Sequence, residues 1–372
     1  MQTLINIVVF LAGLVMVILT LSSAVSTFVL PRAARSQLNR VVFGVLRRFF
    51  DFILHFAKTY PRRDAVMAYY APIGLMLLVP AWYVLIMIGY AAMYWALGVG
   101  GFPAALRLSG SSLFTLGFES NSQFPVTLFE FSEAMFGLIL VALLIAYLPT
   151  MYAAFSRREQ VVNMLEVRAG SPPSALEMLL RFHRNQGLEK LADYWTVWES
   201  WFADIEESHT TLPTLVFFRS PRAENSWVTA AGAVLDAAAI TLSSIEIPYE
   251  VSAALSIRAG FLAFRRIANY FDLPNPQNPH YPEVPVCVDR AEYEAVLDQL
   301  AAAGLPLKQN REQMWIDFAG WRVNYDRALI LLCGLVMAPQ APWSSDRAGK
   351  FDIPPMVIFK KHRLLLEEKK SS

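Results

Sequence analysis

An all-α membrane protein in two parts, an apolar N-terminal half and a water-facing helical C-terminal half, is what this sequence predicts. Hydrophobic residues fill 55% of its 372 positions and the mean hydropathy is +0.38, too apolar for a soluble chain of this length. Crossing a bilayer takes about 20 apolar residues, and runs of that kind lie at 4–30, 67–97 and 131–155. From Val161 on, apolar runs shorten, and proline, charge and capping residues take over. The formal net charge is only +1, so bulk charge argues for no nucleic-acid partner. Cys287 and Cys333 stand far apart with no ligand-spaced neighbours, which argues against a disulfide framework or a metal site.

In chain order, residues 1–31 form a transmembrane helix. A cleaved secretory signal is the competing reading, but the basic stretch that normally precedes its apolar run is missing. Residues 32–64 carry Arg32, Arg35, Arg40, Arg47, Arg48, Lys58, Arg62 and Arg63. The positive-inside rule places this segment in the cytoplasm and the N-terminus outside, in the cell's inner (plasma) membrane. Within it, Val41–Phe56 mixes apolar residues with Arg47, Arg48 and Asp51. Three charges near the centre of a span would cost several kcal/mol, about 3 each on insertion scales. An amphipathic helix flat on the anionic inner leaflet, Arg47 and Arg48 on headgroups, is therefore expected. Residues 65–156 hold an outer helix bent by Pro72 and Pro80, a polar stretch at 104–126, and an inner helix ending in Arg157-Arg158-Glu159-Gln160. Every basic cluster then lands on one side of the membrane.

The stretch 104–126 is too polar and too short to span. Irregular backbone at membrane depth persists only where protein buries it or where it lines a watery cavity, so this stretch reads as a re-entrant loop. Its core, Thr115-Leu116-Gly117-Phe118, resembles the selectivity filter of potassium channels, and Pro125-Val126-Thr127-Leu128 opens the next helix much as in the simple two-helix bacterial members. The resemblance implies a pore-loop fold in which filter carbonyls replace an ion's water shell. It also implies a homotetramer, because one chain supplies one loop. The expected function is a cation channel, conducting potassium, with no cofactor and no enzymatic activity. Thr115, Leu116, Gly117 and Phe118 would form the filter, with Thr115 adding a hydroxyl at its inner mouth and Gly117 permitting left-handed backbone.

The sequence departs from that family at several places. Glu119 stands where the second filter glycine belongs, and Ser120 where an aspartate follows. Arg107 and Leu108 replace paired tryptophans, and Ser111 replaces the glutamate that often braces the filter from behind. Glu119, Glu130 and Glu133 are expected at the outer mouth, as a ring of carboxylates that favours cation entry. Pro149, low in the inner helix, would kink the region that forms the gate in this family. Two other functions stay open: a channel of different or no cation selectivity, and a non-conducting membrane-anchored sensor or scaffold.

Residues 157–372 are expected to form a helical cytoplasmic domain. Ser171-Pro172-Pro173 begins a helix there. Leu191, Trp195, Trp198, Trp201, Phe202 and Ile205 recur at helical spacing, a pattern that is core far more often than ligand site. Residues 227–247 tempt a further span, but Asp236 sits at their centre. Helices are also expected at 251–271, after the capping-box pair Asp289 and Glu292, and over 310–338, with a basic tail at Lys360, Lys361, His362 and Arg363. Glu206-Glu207-Ser208-His209 lacks a partner at ligand spacing, so it predicts no metal site.

Overall fold

The computed structural model describes residues 1–28 and 37–350. Arg32, Arg35 and the tail at Lys360–Arg363 lie outside the described residues. The helices are α1 (Gln2–Phe28), α2 (Gln37–Leu54), α3 (Tyr60–Met67), α4 (Tyr70–Ala96), α5 (Phe102–Leu113), α6 (Phe124–Ala169), α7 (Ala175–Arg184), α8 (Leu191–Thr211), α9 (Trp227–Ser244), α10 (Val251–Tyr270), α11 (Arg290–Ala302), α12 (Arg311–Arg322) and α13 (Asp326–Leu335). Among the described residues there is no strand, and four helical stretches are long and apolar enough to cross a membrane: α1, α3 with α4, α6 and α9. The chain is a membrane protein by this measure. It divides into two compact units, Met1–Phe52 with Tyr69–Ala153, and Ile53–Ala68 with Ala154 onward.

The first unit is built on close helix contacts. A Cβ on Gly13 would lie 2.5 Å from the Gly89 carbonyl oxygen, and one on Gly89 would lie 2.7 Å from Val17 Cγ2. Only glycine lets α1 and α4 approach that closely, the usual way helices associate where lipid supplies no hydrophobic drive. Deeper along the same contact, Trp82 Nε1 donates to Ser23 Oγ at 3.2 Å. The amphipathic helix α2 buries Phe43, Leu46 and Phe50, with the two phenylalanines edge-on to Tyr70. Val41, Val45, Phe49, Phe52 and Arg48 remain exposed. Arg47 does not share that exposed face: it is half-buried, pairs with Asp51 at 2.9 Å and lies over the Tyr70 ring.

α6 begins earlier and ends later than the apolar run at 131–155. Helix-forming Arg157, Arg158, Glu159 and Gln160 prolong it, and Gly170, at φ +81°, stops it in the left-handed conformation that favours glycine. The next helix starts later than Ser171. Ser174 is its cap, accepting from Glu177 N at 3.1 Å.

The second unit has its core among α8, α9 and α10. Trp195, Trp198, Trp201, Phe202 and Ile205 are buried there, and Gly260 admits Leu235 and Phe202 against α10. Every residue of α9 is buried within this unit. Its Asp236 is met by the fully buried Arg322, and Tyr325 Oη donates to the same carboxylate at 2.8 Å. The pattern over 310–338 splits into α12 and α13, because the Asn324 side chain donates back to the Gly320 carbonyl at 2.9 Å and closes the first helix. Asp289 and Glu292 form the expected capping box.

His209, at the end of α8, is fully buried against Arg158, whose Nη1 lies 3.3 Å from its Nε2. A guanidinium can only donate, so Nε2 accepts and the ring is neutral, with Nδ1 turned to Ser208 Oγ at 3.1 Å. Burial, and then the neighbouring Arg158 charge, push the imidazole well below its ordinary 6.5. The folded state thus resists a proton that the unfolded chain takes up below about pH 6.5. Stability from this site is complete above that pH and falls as pH drops, by up to about 1.4 kcal/mol per unit. Urea titrations followed by tryptophan fluorescence should show this loss between pH 7 and pH 5, and a flatter profile for His209→Gln.

Candidate pore-loop site

α5 has 12 residues. At 1.5 Å per residue it reaches about 18 Å, roughly half of a membrane's thickness. It starts at Phe102 with Pro103 in its first turn, and buries Ala105, Leu108, Ser109, Ser111 and Leu113 against its own unit. Its C-terminus is set by one close approach: a Cβ on Gly137 of α6 would fall 2.2 Å from the Leu113 carbonyl oxygen. Tyr83 of α4 donates to the Gly137 carbonyl at 2.6 Å, so three helices meet where α5 ends.

Ser111 organises the loop that leaves α5. Its carbonyl accepts from Leu116 N at 2.8 Å and Gly117 N at 3.4 Å, and its hydroxyl accepts from Glu119 N at 3.0 Å. The hydroxyl completes the pair by donating to the Glu119 carbonyl at 3.1 Å. In a planar trans peptide the carbonyl points opposite to the N–H. Gathering these three N–H groups at Ser111 therefore turns the carbonyls of Thr115, Leu116 and Phe118 away from it. Thr115 and Gly117 have φ of +54° and +71°. Gly117 adopts that conformation at no steric cost, but a β-branched residue there is strained, and such strain persists only where surrounding contacts enforce it. Thr115, Leu116, Gly117 and Phe118 are all exposed in the single chain.

The return path is anchored too. Asn121 N donates to Glu130 Oε1 at 3.0 Å, and Thr127 Oγ1 donates to the Asn121 carbonyl at 2.9 Å. Glu130 is accordingly half-buried, and one of its oxygens is committed to the loop.

The three carboxylates expected at the mouth are each engaged within the single chain. Glu119 is paired with Arg107 at 2.7 Å, so the charge it brings is matched within its own chain. Glu133 is not at a mouth at all: it is fully buried. Its Oε1 lies 2.5 Å from Ser109 Oγ of α5, and its Oε2 accepts from Tyr94 Oη of α4 at 2.8 Å. Sequence reading missed this, although Glu133 lies seven residues from both Val126 and Leu140, which share its buried face. It also missed Ser111 as the loop's organiser, having read that position only as a lost glutamate. Pro149 sits inside α6 on an exposed face, and the helix continues through it while the Ile145 carbonyl loses its usual donor.

Among the described residues no group of three His, Cys, Asp or Glu side chains converges as a metal site. No protein-family model, no curated protein and no solved structure matches the chain.

Proposed function

We propose that this chain is the protomer of a homotetrameric pore-loop cation channel that conducts potassium, with the second unit as its cytoplasmic regulatory or assembly domain. The observation that carries this reading is the gathering of the Leu116, Gly117 and Glu119 N–H groups at Ser111, which turns the preceding carbonyls away from that residue on a strained, exposed loop at the end of a half-length helix. Carbonyl oxygens presented together are the ligands that a dehydrated monovalent cation needs. One loop cannot surround an ion, so copies must assemble. α6 offers a surface for that: Leu128, Phe131, Met135, Leu138, Ile145 and Tyr152 are exposed at spacings of three, four and seven.

Proteoliposomes holding the protein should take up K⁺ along its gradient, and Gly117→Ala, which forces a Cβ onto φ +71°, should lower the flux at least tenfold. Cross-linking in mild detergent should give a tetramer. A clean monomer, or a tetramer that passes no cation, would end the reading and leave the non-conducting scaffold in its place.

A channel of different cation selectivity is the second reading, favoured by Glu119 at the position of a filter glycine and by its pairing with Arg107. The pair is largely exposed and contributes no more than about 1 kcal/mol to stability, so its effect is on the field at the mouth. Arg107→Gln should raise cation flux and sensitivity to Ca²⁺, whereas Glu119→Gln should lower flux, and both differences should shrink as salt screens them.

A further inference from the structure

Glu133 brings a carboxyl group into the interior of the first unit. Ser109 and Tyr94 hydroxyls are the partners that its carboxyl meets, from α5 and α4 respectively, while Arg107, the cation of α5, is engaged with Glu119. Around it stand Tyr90, which shares a 2.8 Å hydrogen bond with Ser132, and Glu130, which is held by Asn121 N. Burying such a group costs several kcal/mol, roughly 2–7 for a polar group that goes unmatched, so its place in the fold requires compensation. What it gains is a tie between three helices at one point, four residues from the Gly137 contact that ends α5.

We propose that Glu133 is a positioning residue for the pore loop. By holding Ser109 and Tyr94 together it fixes the seating of α5, and through Ser111 it fixes where the carbonyls of Thr115, Leu116 and Phe118 stand. Its role in ion discrimination rests on the channel reading; its role in loop placement does not.

The chemistry makes a sharp distinction among substitutions. Ser109 Oγ lies 3.0 Å from the Met87 carbonyl as well as 2.5 Å from Glu133, and it has one proton to give. An amide at position 133 can accept from Tyr94 on its oxygen and donate to Ser109 through its nitrogen, which leaves the Ser109 proton for Met87. Glu133→Gln therefore preserves every contact, and Glu133→Ala removes them all.

The test is amide hydrogen exchange on the full chain in detergent, read at Leu116, Gly117 and Glu119, together with the K⁺/Na⁺ permeability ratio in liposomes. Glu133→Ala should speed exchange at these amides about tenfold and lower the ratio, with Glu133→Gln close to wild type. Ser109→Ala should reproduce the Glu133→Ala pattern, and the double variant should add nothing further. Should Glu133→Ala fail to assemble, Ser109→Ala and Tyr94→Phe carry the same comparison. Unchanged exchange in these variants, or Glu133→Gln exchanging as fast as Glu133→Ala, overturns the proposal. Liposomes that pass no cation even with the wild-type chain would instead end the channel reading, while the exchange arm still decides the role of Glu133.

Discussion

Replacing Asp236 with alanine is expected to remove about 3–5 kcal/mol from the stability of the second unit. The reason is the guanidinium it leaves behind. Arg322 is fully buried, and burial alone would lower its pKa, but Asp236 and Asp326 outweigh that and hold it well above its ordinary value. It also donates to the Trp343 carbonyl at 2.5 Å and to Asp326 at 2.7 Å, so this cation is fixed from several sides and cannot reach water when one partner goes. Against a typical total of about 5–15 kcal/mol, the loss is enough to unfold a large part of the population. Urea denaturation followed by the fluorescence of Trp195, Trp198, Trp201 and Trp227 measures it. Glu312→Ala, which breaks an exposed ion pair with Arg290, should move the midpoint by no more than about 0.5 kcal/mol.

Gly137→Ala should be nearly as damaging to the first unit. The added methyl would sit 2.2 Å from the Leu113 carbonyl oxygen, a backbone atom held at the end of a helix and unable to swing aside. α5 and α6 must part, at an overpacking cost of about 1–3 kcal/mol. Tyr83 loses the geometry of its 2.6 Å bond in the same movement. The expected result is a lower melting temperature for the detergent-solubilised protein and, on the channel reading, loss of cation flux. Gly110→Ala is the matched control: its nearest neighbour would be Met87 Sδ at 3.7 Å, an ordinary contact, so both measurements should stay close to wild type.

Much of the helical framework was legible in the sequence because its causes are local. Apolar run length located α1, α4 and α6, helical spacing marked the tryptophans of α8 as core, and a central Asp236 set α9 apart from the other apolar runs. The capping pair Asp289 and Glu292 located α11. The features that escaped depend on partners distant in sequence. Glu133 reads as a mouth residue from its place at the start of an apolar run, and the partner that receives it, Tyr94, lies 39 residues earlier. Glu119 reads as an unmatched charge until Arg107 folds back on it. Ser111 reads as a loss until the three N–H groups it gathers are in place. Boundaries shifted for a related reason. Ser171-Pro172-Pro173 looks like a start signal, but the Ser174 hydroxyl is the group that meets an orphan amide.

The second unit includes a piece of chain that precedes most of the first. Ile53–Ala68 belongs to it, held by Arg219, which reaches Asp64 at 2.5 Å and the Val336 carbonyl at 2.7 Å, with Tyr60 donating to the Met337 carbonyl. Asp64 and Arg219 are 155 residues apart in sequence. A ribosome releases Asp64 long before its partner exists, and all of α4, α5 and α6 must emerge in between. The C-terminal unit therefore cannot finish folding as an independent appendage at the end of translation. Its last contacts close back on a segment made before α4, so completing this unit waits on α4, α5 and α6 having been synthesised. A fragment that begins after α6 lacks Tyr60 and Asp64, and it would leave Arg219 without its carboxylate.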